Sequence, residues 1–240
     1  MPNKIAIIGL YGPMLSHSSA MNRISGATST RDFAALVNQA ASDPDVAHIV
    51  LDIAPPGGEA YSIDVAVGAV RAAKQVKPVT AVTEEVMASA AYWVASQADT
   101  LIASENSMVG SISVVYSHTD RTQWNEQQGI KRTVLSTGDK KAVGSPDVPL
   151  DDAGRTEMLR VAQSYHDQFV GAVAEGRGQT VEHVQSNWAD GRVETGLVAA
   201  QIGLVDKVGT LESTIQDIIS GMQASSSVPV LSLSNLGNYR

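Results

Sequence analysis

Apolar positions along this chain switch between two periods, short strand-like runs and helix-like stripes with spacings of three and four. KIAIIGL (4–10) is a β-branched run and predicts a first strand. TRDFAALVNQAASDP (30–44) predicts a helix with Thr30 as N-cap and Asp43-Pro44 as its stop. VAHIVLDI (46–53) is the near-continuous apolar run of a strand buried on both faces. PPGGEA (55–60) reads as a turn, YSIDVAVGAVRAAKQV (61–76) as an amphipathic helix, PVTAVTE (78–84) as a third strand and DTLIAS (99–104) as a fourth. Between the last two strands lies a small-residue segment that opens a helix at Ser89.

Strands and helices in this alternation imply a parallel sheet with right-handed crossovers. GSISVVYS (110–117) and IKRTVLSTG (130–138) predict two more strands around a short helix, TDRTQWNEQQG (119–129). Past Pro149 the pattern turns helical, with a long amphipathic helix over 151–178 and shorter ones over 180–190, 194–203 and 210–223; LVDKV (204–208) is a strand candidate. The expected architecture is an α/β fold with a parallel sheet, flanking helices and a helical C-terminal lobe. One domain is expected over 1–222, and the Ser-rich, aperiodic stretch 223–240 is expected to be a flexible tail or linker.

Composition narrows the chemistry. Of 240 residues, 43% are hydrophobic, enough for a sizeable core, and the formal net charge of −8 comes without a basic stripe, which argues against nucleic acid as partner. There is no cysteine, so disulfides, thiolate nucleophiles and cysteine-ligated zinc are excluded. No apolar run reaches the ~18 residues of a membrane span, and no secretion signal is seen at the N-terminus.

Ser89 follows a buried strand and begins a helix, in the manner of a nucleophile elbow. A serine nucleophile needs a base, donors for the oxyanion and a rigid platform. Ala88, Ala90 and Ala91 leave room for a substrate backbone to approach. The two glycines of APPGGEA lie beyond the C-terminal end of a strand, where ligands collect in parallel sheets, and Gly58 and Ala90 are the candidate N–H donors. Taken alone, Pro-Gly-Gly is an ordinary turn. For the base, His48 lies inside a buried run and reads as a core histidine, while His118 is the one histidine that follows a strand of the sheet. Lys140 and Lys141, in LSTGDKKAVGSP, are the alternative; adjacent lysines are usually solvated, and one acts as a base only when neutral.

Together these segments resemble the signal peptide peptidase A family of Ser-Lys peptidases, related to the Clp protease subunit and in fold to the crotonases. The resemblance runs over roughly residues 4–220 through LDIAPPGGEA, EVMASAAYWVASQAD, GSISVV, STGDKKAVGSP and GRGQTVEHVQSNWADGRVETGLVAAQIGLVDKVGTL. It implies Ser89 as nucleophile, Lys141 as general base (four residues before Ser145-Pro146), Ser111 as the serine that orients the lysine, and Gly58 as the oxyanion glycine. It implies no metal and no cofactor. The chain departs from the family pattern at Ala90, Ser113 and Pro55, which bears on specificity more than on mechanism.

Without the membrane anchor of the cellular members, the chain is expected to resemble the head-maturation proteases of tailed phages. These act on scaffold or capsid proteins as homo-oligomeric rings, in the host cytoplasm or procapsid. A cellular peptidase degrading signal peptides, a crotonase-type acyl-CoA enzyme using Glu84, Glu85 or Glu105, and a non-catalytic assembly protein are the alternatives.

Overall fold

The computed structural model describes residues 4–17, 19, 24, 26–225 and 231–233. The chain divides into two compact units, one of Met1–Ser113 with Phe169–Arg240 and a second of Val114–Gln168.

The first unit is built on a six-stranded, wholly parallel sheet. Its strands are β1 (Lys4–Leu10), β4 (Val46–Ile53), β5 (Val79–Thr83), β7 (Thr100–Ala103), β10 (Lys207–Val208) and β11 (Leu231–Leu233), in the order β10-β7-β5-β4-β1-β11. Two short pieces, β2 (Met14–Leu15) and β3 (Thr28–Ser29), pair in parallel beside it. A smaller sheet orders β6 (Val86–Ala88), β8 (Met108–Gly110) and β9 (Val193–Thr195), with β9 antiparallel to β8.

The period of two decides which face of the main sheet each residue takes. Ile49 and Leu51 of β4 face the main core, which includes side chains of α1 (Thr30–Ser42), α2 (Ile63–Ala73) and α3 (Ala90–Ala95). Val50 faces the other way with Ile5, Val82 and Ile102, against Leu211, Ile215, Ile218, Ile219 and Met222 of α8 (Leu211–Ser225). Burial on both faces is why β4 reads as a continuous apolar run. Its one basic side chain, His48, is half-buried and meets Thr80 across the sheet at 2.9 Å from Nε2 to Oγ1, so the ring is satisfied as expected but lies at the edge of the core rather than inside it. Burial pushes its pKa below the usual imidazole value, with Asp99 pulling the other way.

The last unit-one elements are the second half of α5 (Asp152–Arg177), with α6 (Val181–Asn187) and α7 (Gly196–Gln201). Phe169 of α5 stacks on Trp93 of α3 with ring centroids 4.6 Å apart. The stretch GLVDKVG has a plain structural task. Asp206 accepts the Leu101 N–H at 2.7 Å and the Arg177 guanidinium at 2.7 and 3.1 Å, and the buried Tyr92 hydroxyl donates to Leu204 O at 2.8 Å. Burial alone would raise the Asp206 pKa; Arg177 and the Leu101 N–H outweigh it and hold the carboxyl below its usual range.

The second unit holds α4 (Thr122–Gln127) and the first half of α5. It is mostly exposed, with Asn125, Met158, Ala162 and His166 among its few buried side chains.

Three expectations are corrected. The cap of α1 is Ser29, whose hydroxyl accepts the Asp32 N–H at 3.2 Å, because Thr30 is already helical. The strand expected at 110–117 ends where it was to begin, since β8 stops at Gly110 and Ser111 turns to a φ of 54°. No strand forms over 130–138: the backbone N–H groups of 131–137 find no partner among the described residues, and a strand without a ladder is not one. Within the expected tail, helix α8 runs on to Ser225 and Leu231–Leu233 form β11 on the edge of β1, with Lys4 opposite Leu231. Residues 226–230 and 234–240 of that tail lie outside the described residues.

Candidate active site

Ser89 sits at the junction expected, one residue past β6 and one before α3, with φ 53° and ψ −128°. A positive φ in a residue with a Cβ costs about 1–3 kcal/mol and persists only where the surroundings over-determine it. Here they do. The Ser89 N–H donates to Gly110 O at 2.8 Å, its carbonyl accepts from Trp93 N–H at 3.0 Å, and Ala88 is paired with Gly110 in the ladder.

The helix that follows is short but firmly anchored. All six residues of α3 are buried. Gln97, just past its end, donates to Trp93 O, Ser96 Oγ and Ala172 O at 3.1, 2.7 and 3.0 Å, and accepts from Arg71 Nε at 2.7 Å. Tyr92, at the other side of the helix, is tied to Leu204 as described. A nucleophile here stands on a platform that cannot shift without breaking several buried hydrogen bonds. The Ser89 side chain is half-buried, and its hydroxyl makes no hydrogen bond among the described residues.

Ser111 ends β8 as Ser89 ends β6. Each stands one residue beyond the paired Ala88 and Gly110, so the two serines lie side by side on neighbouring strand ends. Ser111 also has a positive φ, 54°, and its N–H donates to Arg192 O at 2.7 Å. This gives the Gly-Arg-Val stretch at 191–193 a role that spacing alone could not: its backbone holds the turn at Ser111.

The Pro-Gly-Gly segment arrives from the end of β4. Met14 pairs with Gly58 in a parallel bridge, its N–H donating to Gly57 O at 3.0 Å and its carbonyl accepting Glu59 N–H at 2.9 Å. In such a bridge the neighbours of Gly58 make the bonds, so the N–H of Gly58 points away from Met14. That N–H has no acceptor among the described residues. A Cβ at Gly58 would stand 2.2 Å from Met14 O, so the close pairing requires glycine there. The Ala90 N–H lies in the first turn of α3, where intrahelical acceptors are lacking. Ser89, Gly58, Ala90 and Ser111 all belong to the first unit.

Lys141 and its neighbour Lys140 belong to the second unit and are exposed. The Lys141 ammonium makes no ion pair or hydrogen bond among the described residues, while Lys140 lies near Glu157. His118, in the same unit, has Nε2 3.1 Å from Ser145 O, so that nitrogen carries a proton and donates. The residue that the sequence did not single out is Gly57. It is buried, has φ +136°, and lies against Ser89. Two adjacent glycines look alike in a sequence; only their backbone angles and neighbours tell them apart.

No helix among the described residues is long and apolar enough to cross a membrane. The fold is shared with a variant of the 1510-N membrane-bound stomatin-specific protease, with a TM-score of 0.58 at 11% identity over 98% of this chain and 99% of that one. Capsid assembly protease C of Escherichia phage lambda is 29% identical over 206 residues, 86% of this chain and 46% of that protein. The chloroplastic serine protease SPPA of Arabidopsis thaliana is 29% identical over 167 residues, 69% of this chain and 24% of that protein. The chain spans about half the length of the first curated relatives it matches. Residues 71–225, which run from α2 through Ser89 to the end of α8, match peptidase family S49. The chain belongs to that family.

Proposed function

We propose that this chain is a serine endopeptidase working by a Ser-Lys dyad, with Ser89 as nucleophile and Lys141 as general base. The observation that carries the reading is the Ser89 junction: a strained, braced serine with an unpartnered hydroxyl at the end of a strand, in a chain of a peptidase family.

In the proposed reaction, Ser89 Oγ attacks a peptide carbonyl carbon as its proton passes to neutral Lys141 Nζ. The new C–O bond gives a tetrahedral oxyanion held by the N–H groups of Gly58 and Ala90. Collapse breaks the C–N bond, and the lysine returns the proton to the leaving amine. Water then attacks the acyl-enzyme with the lysine again taking a proton, releasing the acid and restoring Ser89. Ser111 would orient the lysine, and no metal or cofactor takes part. The two units would then act as one peptidase domain over 1–222.

For substrate, we favour scaffold or capsid proteins in the maturation of a phage or prophage head, acted on by a homo-oligomeric ring in the host cytoplasm or procapsid. The similarity to a phage capsid assembly protease over 86% of the chain supports this. A cellular peptidase that degrades signal peptides is the second reading, supported by the similarity to a chloroplastic serine protease.

The test is cleavage of casein, and of a phage scaffold protein beside a signal peptide, by the unmodified chain and by Ser89→Ala, Lys141→Ala and His118→Ala. Each protein is first checked for unchanged size by gel filtration. The serine and lysine variants are expected to lose about 10⁴-fold or more in kcat, as such units do when one member is removed. His118→Ala is expected to stay within a few-fold of the unmodified chain. Loss in the histidine variant with retention in the lysine variant would replace the dyad by Ser-His.

A further inference from the structure

Gly57 makes a contact that the proposed mechanism does not use. It is buried, with φ +136°, a region that side chains rarely enter. A Cβ built on it would lie 2.9 Å from Ser89 Cβ, 3.1 Å from Ser89 Oγ and 3.7 Å from Ala88 O. Cβ atoms do not come within 3.0 Å of another side chain, so the space beside the Ser89 hydroxyl exists because residue 57 has no side chain.

Neither partner can easily move away. The Gly57 carbonyl is held by Met14 N–H, the next residue is bridged to Met14, and Glu59 is held twice, through its N–H to Met14 O and through its carboxylate, which accepts Ser16 N–H at 3.0 Å. Ser89 is pinned by Gly110 on one side and by the buried helix α3 on the other. A strained serine backbone and a glycine turn, each clamped from behind, therefore meet through one glycine Cα.

We propose that Gly57 is a positioning residue for Ser89: its bare Cα forms the wall that sets the direction of the hydroxyl and keeps the space for the attacked carbonyl open. This rests on Ser89 being the nucleophile. It is a role separate from that of Gly58, which offers an N–H. Misplacing a reacting group by about 1 Å can cost 10²-fold in rate, so a methyl group at residue 57 is expected to act on the reaction rather than on substrate affinity.

The experiment measures Gly57→Ala in two ways. The first is the rate at which a small fluorophosphonate labels Ser89, together with kcat and KM on casein. The second is the thermal midpoint of Gly57→Ala in the unmodified chain and in a Ser89→Gly background. Gly178→Ala serves as a strain control, since Gly178 also has a positive φ, 62°, but nothing within 4 Å of its Cβ position.

Labelling is expected to fall about 100-fold in Gly57→Ala with KM little changed, and to be unaffected in Gly178→Ala. The loss of thermal stability is expected to shrink in the Ser89→Gly background, where the opposing Cβ is gone. Labelling of Gly57→Ala within about three-fold of the unmodified chain overturns the proposal, as does an equal thermal penalty in both backgrounds. If Gly57→Ala does not fold, recovery of folding by Ser89→Gly supports the contact and failure to recover overturns it. An unmodified chain that no fluorophosphonate labels sinks the peptidase reading and with it the role in reaction, while the thermal comparison still decides whether the two residues press on each other.

Discussion

In the unit of Met1–Ser113 and Phe169–Arg240, the strands lie in ladders and the main sheet is covered on both faces. In the unit of Val114–Gln168, residues with a comparable share of Val, Ile, Leu and Thr run through 130–136 without a ladder, and Leu135 is 90% exposed. The difference is one of partners. Residues 46–53 come between β1 and β5, pairing along Lys4–Leu10 on one side and, at 49–52, with 79–82 on the other. Residues 131–137 have none among the described residues, so their β-branched side chains have no pleated surface on which to pack.

The comparison can be broken most directly by large-to-small substitution in each unit. Phe169→Ala removes a ring that is 1% exposed and stacked on Trp93, and is expected to cost about 3–5 kcal/mol in chemical denaturation. Leu135→Ala is expected to change stability by no more than about 0.5 kcal/mol. A large cost at Leu135 would mean that residues 130–136 bury against something in solution.

A smaller effect sharpens the picture within the first unit. The Asp206 carboxyl titrates below its ordinary value, so its contribution is present above the usual carboxylate pKa and is lost as pH falls through the lowered folded value. Asp206→Asn is expected to lower the thermal midpoint at neutral pH and to make the acid limb of the stability profile shallower. An unchanged acid limb would show that the Arg177 pair does not govern it.

The smallest expected effect is at His48. Burial depresses its pKa, so below the ordinary imidazole value of about 6.5 the unfolded chain binds a proton that the folded one resists. Stability is therefore expected to rise as pH climbs through that region, and His48→Asn to flatten the step. A step that survives in the variant would show that His48 does not cause it.

Much of the candidate site was legible from one sequence because its parts are local. A small-residue segment after a strand is enough to expose Ser89, and a Pro-Gly-Gly turn after β4 brings glycines to the same kind of strand end. The family motifs GSI and GRVETG could be recognised but not explained until Ser111 N–H was seen on Arg192 O, a contact between residues 81 apart that no local pattern encodes. The short strands β2, β6 and β9 were missed for the same reason: at two or three residues they carry no period, and only their partners define them.

By itself the sequence determined the alternation of strand and helix, the two-sided burial of the central strands and the residue types available for chemistry. These follow from side-chain periodicity and from backbone rules that act within a few residues. Tertiary structure alone decided which strands found ladders, that Leu231–Leu233 would take the edge of β1, and which of two identical glycines would lie beside Ser89. Such outcomes depend on distant backbone groups arriving within a few ångströms of each other, and closeness of that kind leaves no mark on the order of residues.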